Sequence, residues 1–225
     1  MLSSLLDLIF PKVCITCDTV LYQGEAEICT FCRHDLPVCD WPSSRENLIT
    51  DKLKGRVNLR HADALFYFEK RNKTQHLIHE LKYKKQKQIS AFLGQWHGVK
   101  LKHKAWANRI DVITPVPLHA KRLRQRGYNQ VHDYAKEISK TLGCQFEPNL
   151  LKRNHYSRTQ VFKNRLLRTD VIEQNFMLDQ ANDYEGKHIA LADDLITTGA
   201  TAEACFLELS KIKNVELTLL VMAVA

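Results

Sequence analysis

The sequence lacks several features, and each absence excludes a class of protein. No apolar run approaches the roughly 20 residues that a transmembrane helix needs. The opening residues, MLSSLLDLIFP, have no basic segment before their apolar stretch, and they contain Asp7, which is not typical of a secretory signal peptide. These absences predict a cytoplasmic protein without a membrane span.

Acidic residues are scarce in the middle of the chain. Residues 70–169 contain 23 Lys and Arg against 5 Asp and Glu, and the whole 225-residue chain has a net charge of +8. Positive charge concentrated in this way indicates an anionic partner, such as a sugar phosphate or a nucleic acid. Lysines that only solvate a surface are the alternative interpretation.

Four of the seven cysteines form two C-x₂-C pairs separated by 11 residues. Two such pairs close a tetrahedron of thiolates around Zn²⁺, and in a cytoplasmic protein this spacing favours a metal over disulfides. A pair of redox dithiols is the alternative. The predicted zinc ligands are Cys14, Cys17, Cys29 and Cys32.

The length allows one domain of ordinary size and a small appendage. The polar, turn-rich stretch 40–60 is interpreted as the boundary between them. We therefore predict a zinc unit at residues 1–45 and a main domain at residues 46–225.

The segment Lys187–Thr201, KHIALADDLITTGAT, combines a short apolar strand, two carboxylates and a small hydroxyl-rich turn before a helical pattern. A helix N-terminus with a glycine beside it receives phosphate well, and neighbouring carboxylates accept hydrogen bonds from a diol or face Mg²⁺. The sequence thus predicts a ribose phosphate site. Its residues are Asp193, Asp194, Thr197, Thr198, Gly199, Ala200 and Thr201.

A second predicted strand, residues 111–114, runs into a proline-rich turn and then several arginines. Loops at the carboxyl ends of neighbouring parallel strands converge on one crevice, so this loop is expected to face the ribose phosphate site. The guanidinium groups of this loop suit a phosphate that lies beyond the ribose. Alternatively, they only solvate the start of a helix. The loop comprises Pro115, Val116, Pro117, Leu118, His119, Arg122 and Arg126.

Lysines surround one tyrosine at the end of a helix predicted from Thr74 to Lys84. Cationic side chains next to an aromatic ring suit the phosphates and bases of a single-stranded nucleic acid, although the tyrosine also fits a core position. The predicted contacts are Lys82, Tyr83, Lys84, Lys85 and Lys87. A second helix, roughly Ile89–Leu101, is expected to turn Phe92, Leu93, Trp96 and Val99 inward.

The run LADDLITTGAT resembles the phosphoribosyl pyrophosphate (PRPP) motif of type I phosphoribosyltransferases. Together with PVPLHAKRLRQRGYNQ and the cysteine pairs, it resembles the ComF family of competence and DNA-utilisation proteins. The resemblance implies an α/β fold, a parallel sheet flanked by helices, and a zinc-ribbon-like N-terminus. It also implies PRPP with Mg²⁺ in the crevice, the loop 115–119 on pyrophosphate, and a role in natural transformation or the use of imported DNA.

The resemblance extends to a basic segment, residues 151–168, which matches a mobile loop that closes over the sugar in related transferases. Its matching residues are Arg158, Gln160 and Arg165. An exposed helix with a basic face is the alternative interpretation of this segment. Thr197 stands where purine-salvage relatives carry a third acid, which argues against purine-salvage chemistry. Two hypotheses follow: a PRPP-binding factor that handles single-stranded DNA with the competence machinery, and an active phosphoribosyltransferase on an unidentified acceptor.

Overall fold

The computed structural model describes residues 10–42, 46–83, 86–153, 176–179 and 181–225. Within them, five parallel strands form a sheet in the order β1-β7-β6-β2-β3. A separate ribbon pairs β4 with β5 in antiparallel fashion. The strands are β1 (His61–Tyr67), β2 (Val112–Pro115), β3 (Gln145–Phe146), β4 (Leu151–Arg153), β5 (Phe176–Leu178), β6 (His188–Ile196) and β7 (Glu216–Val224).

Seven described α-helices and two short 3₁₀ turns, Ala107–Arg109 and Ala181–Tyr184, accompany the strands. No helix among the described residues is both long and apolar enough to cross a bilayer. The helices are α1 (Thr30–Asp35), α2 (Leu48–Leu53), α3 (Lys73–Tyr83), α4 (Lys87–Lys102), α5 (Ala120–Arg126), α6 (His132–Leu142) and α7 (Ala200–Leu209).

The central strands β6 and β7 are buried along nearly their whole length, because helices cover both faces of the sheet. Alternate residues point to opposite faces, so Ala190 and Leu220 pack with α3, α4 and α6, whereas Leu191 and Leu219 pack with α2 and α7. The predicted parallel sheet with flanking helices is thereby confirmed.

The cysteine unit is joined to this sheet. After α1, Val38 forms an antiparallel bridge to Phe66, and the Cys39 amide donates to the Leu65 carbonyl over 2.9 Å. Cys14 and Cys32 are buried in the same apolar cluster as α3 and α4. The unit therefore extends the edge of the sheet and shares its core.

Several predicted boundaries differ from the observed ones. Helix α3 begins at Lys73, and Asn72 rather than Thr74 caps it, because the Asn72 side chain accepts from the Gln75 amide over 3.1 Å. The prediction that Val99 faces inward is wrong, since it is 57% exposed on the outer side of α4. The stretch predicted to be a boundary contains α2, which Asn47 caps.

A buried charged cluster ties β1 to α4. Asp63 is fully buried and accepts hydrogen bonds from His97 Nε2 over 3.0 Å, from Lys100 over 2.9 Å and from Lys104. Burial opposes ionisation of Asp63, but the hydrogen bonds and charges of these partners outweigh it and lower its pKa. Burial also lowers the pKa of His97, so the imidazole is neutral, and its Nδ1 accepts a hydrogen bond from the Tyr134 hydroxyl.

Asp63→Asn is expected to destabilise the protein by about 3 kcal/mol at pH 7, because it leaves buried ammonium groups without a counter-charge. A carboxyl whose pKa is lowered on folding adds to the free energy of unfolding. This stabilisation is present above its unfolded pKa of about 3.9 and disappears as the pH falls through the folded pKa. Urea unfolding at several pH values checks this, with the exposed Asp40→Asn as control. A destabilisation that stays constant below pH 4 would contradict it.

Candidate PRPP crevice and cysteine centre

Two adjacent carboxylates lie near the end of β6. The short apolar strand predicted before the carboxylates continues through them to Ile196, so Asp193 and Asp194 are strand residues that point to opposite faces. Asp194 is buried, Asp193 is partly exposed, and the Asp194 amide donates to Asp193 Oδ1 over 2.8 Å.

Asp194 is held by two side chains from the α3–α6 face of the sheet. Lys82 Nζ, at the end of α3, lies 3.0 Å from Asp194 Oδ1, and Gln130 Nε2 donates to Oδ2 over 2.6 Å. The Lys82 side chain is only 19% exposed. The structure thus places this lysine, which the pattern grouped with nucleic-acid contacts, inside the crevice.

Ionisation of Asp193 is unfavourable beside its neighbouring carboxylate. Burial and the neighbouring Asp194 carboxylate raise the pKa of Asp193 to about 7, although its hydrogen bond from the Asp194 amide and the charge of Lys82 oppose the shift. Close to neutral pH, ionised Asp193 therefore destabilises the folded protein. Such a cost is typical of residues retained for function rather than for stability.

Asp193→Asn is expected to raise the melting temperature at pH 8 and to leave it nearly unchanged at pH 5. A carboxyl whose pKa is raised on folding holds more protons in the folded state, so stability falls as the pH rises from about 4 towards 7. At pH 5 the wild-type side chain is neutral, like asparagine. Thermal unfolding of the ligand-free protein at both pH values checks this, and an equal shift at both would contradict it.

The turn after β6 presents backbone donors to the same edge. Gly199 has a φ of +81°, a conformation that favours glycine, and the N-terminus of α7 after it has no side-chain cap. The Ala200 amide donates to Thr198 Oγ1 over 3.5 Å, and the threonines on either side are exposed. An uncapped helix start with neighbouring hydroxyls can bind a phosphate.

A clamp from the N-terminal part of the chain supports this turn. Arg56 Nη1 donates to the Thr198 carbonyl over 2.7 Å, and its Nε donates to Glu203 Oε2 over 3.0 Å. A Cβ on Gly199 would come within 2.6 Å of Leu53 Cδ2. Sequence reasoning missed this clamp because Arg56 lies in the polar stretch predicted to be a boundary, 142 residues before Thr198.

Arg56→Ala is expected to weaken PRPP binding about tenfold while costing roughly 1 kcal/mol of stability, because the Thr198 carbonyl loses its donor and the turn is less ordered. Calorimetric titration and urea unfolding measure the two effects. Arg60→Ala is the matched control, since the Arg60 side chain lies at the other end of the sheet, with its Nε 3.7 Å from Glu216 Oε2. Equal PRPP affinities for the two variants would contradict the prediction.

The proline-rich loop lies beside the carboxylates, because β2 neighbours β6. Pro115 is in register with Ala192, and the Val116 amide donates to the Ala192 carbonyl over 2.9 Å. His119 caps α5 by accepting from the Lys121 amide over 3.1 Å. Arg122 is exposed on α5, and the Arg126 guanidinium carbon lies 5.6 Å from the centre of the Tyr83 ring.

Arg153 at the end of β4 is a further crevice residue. Burial and the nearby charge of Arg122 lower its pKa, whereas the charge of Asp193 opposes this, so its half-buried guanidinium is close to both. Sequence reasoning missed Arg153, although it begins the basic segment. The predicted Arg158, Gln160 and Arg165, together with Lys84 and Lys85, lie outside the described residues.

The four N-terminal cysteines come together as their spacing predicts. The sulfurs of Cys14, Cys17, Cys29 and Cys32 all lie within 4.8 Å of one another. Backbone amides donate to two of them, from Cys29 to Cys14 Sγ over 3.3 Å and from Cys32 to Cys29 Sγ over 3.4 Å. Four clustered thiols with amide donors to sulfur fit a structural metal ion such as Zn²⁺.

Comparison with known proteins identifies the relatives of this chain. It is 27% identical over 203 residues to DNA utilization protein YhgH of Escherichia coli K12, which covers 85% of this chain and 87% of the relative. It is 27% identical over 217 residues to Competence protein ComFC of Bacillus subtilis, covering 91% and 81%. These similarities confirm the predicted resemblance to the ComF family of competence and DNA-utilisation proteins.

A third relative, Competence protein F of Haemophilus influenzae, is 34% identical over 92 residues, or 40% of each chain. No protein-family model matches the chain, so the resemblance to ComF proteins rests on these pairwise similarities.

Solved structures provide more distant matches. The glutamine PRPP amidotransferase of B. subtilis has a TM-score of 0.44 and 18% identity, over 63% of this chain and 30% of that one. The adenine phosphoribosyltransferase of Leishmania tarentolae has a TM-score of 0.37 and 13% identity, over 63% and 73%.

Proposed function

We propose that this protein binds PRPP together with Mg²⁺ and handles single-stranded DNA during natural transformation or the use of imported DNA. The observation that carries the proposal is the carboxylate pair at the end of β6, followed directly by the Gly199 turn and the uncapped start of α7. A diol acceptor next to a phosphate cradle suits a ribose 5-phosphate.

Each part of the crevice has a matching part of PRPP. Asp193 and Asp194 accept hydrogen bonds from the ribose hydroxyls, and residues 197–201 hold the 5′-phosphate. Arg122 and Arg126, next to the loop 115–119, bind the pyrophosphate through charge-assisted hydrogen bonds. Mg²⁺, bound with PRPP, neutralises phosphate charge, and oxygen ligands such as these carboxylates suit it.

The nucleic-acid half of the proposal has support from charge and from the relatives. Tyr83 is 61% exposed at the end of α3, which is how a ring that stacks on bases must lie. Residues 70–169 carry far more positive charge than one PRPP molecule needs. The relatives are named for DNA utilization and competence, so we also propose proteins of the competence machinery as partners and a cytoplasmic location.

Zn²⁺ is proposed as a structural ion in the cysteine centre. The cysteine unit shares its apolar core with α3 and α4. Closure of the site would therefore stabilise α3, which carries Lys82 towards the carboxylates, through their common packing.

Two titrations of the full-length protein test the function. Calorimetry with PRPP and Mg²⁺ is expected to show saturable binding that is much tighter than binding of ribose 5-phosphate. Fluorescence anisotropy with a labelled oligothymidine is expected to show an affinity that falls steeply with salt, and Lys87→Ala is expected to reduce the slope by about 0.7. PRPP binding without DNA binding would favour the transferase, to be followed by assays of pyrophosphate release.

A further inference from the structure

Two basic segments that are far apart in the sequence form one continuous surface. The end of α3 packs against the connection between α5 and α6, where the Tyr128 hydroxyl donates to the Leu81 carbonyl. Lys87 Nζ lies 5.3 Å from the centre of the Tyr128 ring. Arg126 from α5 lies over Tyr83 from α3. The proposed nucleic-acid segment and the proposed pyrophosphate segment are therefore direct neighbours.

This shared surface, defined by Lys82, Tyr83, Lys87, Arg122 and Arg126, opens onto the carboxylate pair. Lys82 connects the two regions because its ammonium contacts Asp194 in the crevice while its neighbour Tyr83 is exposed outside. Helix α5, with the sequence AKRLRQR, contains no acidic residue, and its Arg122 and Arg124 are exposed. Phosphates of either ligand are attracted to the same place.

Arg126 belongs to both proposed binding segments, so the two ligands compete for its guanidinium group. Its guanidinium group stacks on the Tyr83 ring, and His79 lies 4.8 Å from the centre of the same ring. A guanidinium that binds pyrophosphate is less available to a DNA phosphate at Tyr83, and one that binds a DNA phosphate is less available to pyrophosphate. Two polyanions within the ~8 Å screening length at physiological salt also repel each other.

We infer that the pyrophosphate group of PRPP and the phosphates of a single strand occupy this shared surface, so that each ligand weakens binding of the other. This inference rests on the proposed function and adds the place and sign of the coupling. By linkage, the loss of affinity is equal in both directions.

Competition at constant ionic strength tests the inference with the full-length protein. Labelled oligothymidine is bound first, and PRPP with Mg²⁺, pyrophosphate with Mg²⁺, or ribose 5-phosphate is then added. Saturating PRPP and pyrophosphate are each expected to raise the apparent Kd for DNA about tenfold, a typical coupling. Ribose 5-phosphate is expected to change it less than twofold, because its phosphate binds at the α7 turn.

Variants of the crevice and of the shared surface show where PRPP and DNA compete. Asp193→Asn with Asp194→Asn is expected to abolish displacement of DNA by PRPP while displacement by pyrophosphate persists. Arg126→Ala is expected to weaken DNA binding and to reduce displacement by pyrophosphate to below threefold. Lys213→Ala, which removes an exposed cation from the opposite end of the sheet, is the control and is expected to leave both unchanged.

The possible failures can be distinguished. DNA affinity that is unchanged or tighter at saturating PRPP overturns the inference and leaves the proposed function intact. If ribose 5-phosphate displaces DNA as strongly as PRPP does, the two ligands compete at the α7 turn, and the inference is also overturned. If PRPP does not bind, the pyrophosphate titration still decides whether the surface is shared, and if DNA does not bind, both the inference and the DNA part of the function are wrong.

Discussion

Asp193→Asn combined with Asp194→Asn is expected to weaken PRPP binding by about a thousandfold, or roughly 4 kcal/mol. Hydrogen bonds to charged groups contribute about 1.5–3 kcal/mol each, and the double variant removes the charge from both acceptors of the ribose diol. Asparagine has nearly the same size as aspartate, so the strand and its packing are retained. Calorimetric titration with PRPP and Mg²⁺ measures the loss.

Two controls make this result specific to the crevice. Asp111→Asn removes a carboxylate at the amino end of β2, where Asp111 Oδ2 accepts from the His188 amide over 2.8 Å, and it is expected to leave PRPP affinity unchanged. Urea unfolding of the double variant checks that the protein is folded. If a folded double variant retains PRPP affinity within threefold of wild type, the carboxylate pair does not hold the sugar.

Cys14→Ser combined with Cys32→Ser is expected to abolish Zn²⁺ binding and to unfold the N-terminal unit. Structural zinc sites contribute on the order of 10 kcal/mol to the folding of small units, which exceeds what the few apolar residues of this unit can supply. Because both cysteines lie in the core shared with α3 and α4, we also expect the melting temperature of the whole protein to fall. Metal content by mass spectrometry and thermal unfolding measure the two effects.

Cys144→Ser is the matched control, because Cys144 is a half-buried free thiol outside the cluster. It is expected to keep one zinc per chain and to change the melting temperature little. A double cysteine variant that melts like wild type would contradict a stabilising role for the metal. Wild-type protein that contains no zinc after preparation without chelators would contradict the metal itself.

The sequence alone was enough to predict the features that depend on neighbours along the chain. The carboxylate pair, the Gly199 turn and the start of α7 are consecutive, so their residue types and order already indicate their shared chemistry. The cysteine pairs have a spacing that is typical of a compact metal-binding unit. Strands β6 and β7 are apolar enough to predict a sheet covered on both faces.

Tertiary structure decided which distant residues complete the crevice. Lys82 reaches Asp194 only because α3 packs beside β6, and Arg56 reaches Thr198 only because α2 folds back over the turn. A lysine among other lysines, or an arginine in a polar stretch, has no periodicity that distinguishes a buried contact from a solvated one. The physical reason is that periodicity indicates the face of an element, whereas partners across a crevice depend on how the elements pack together.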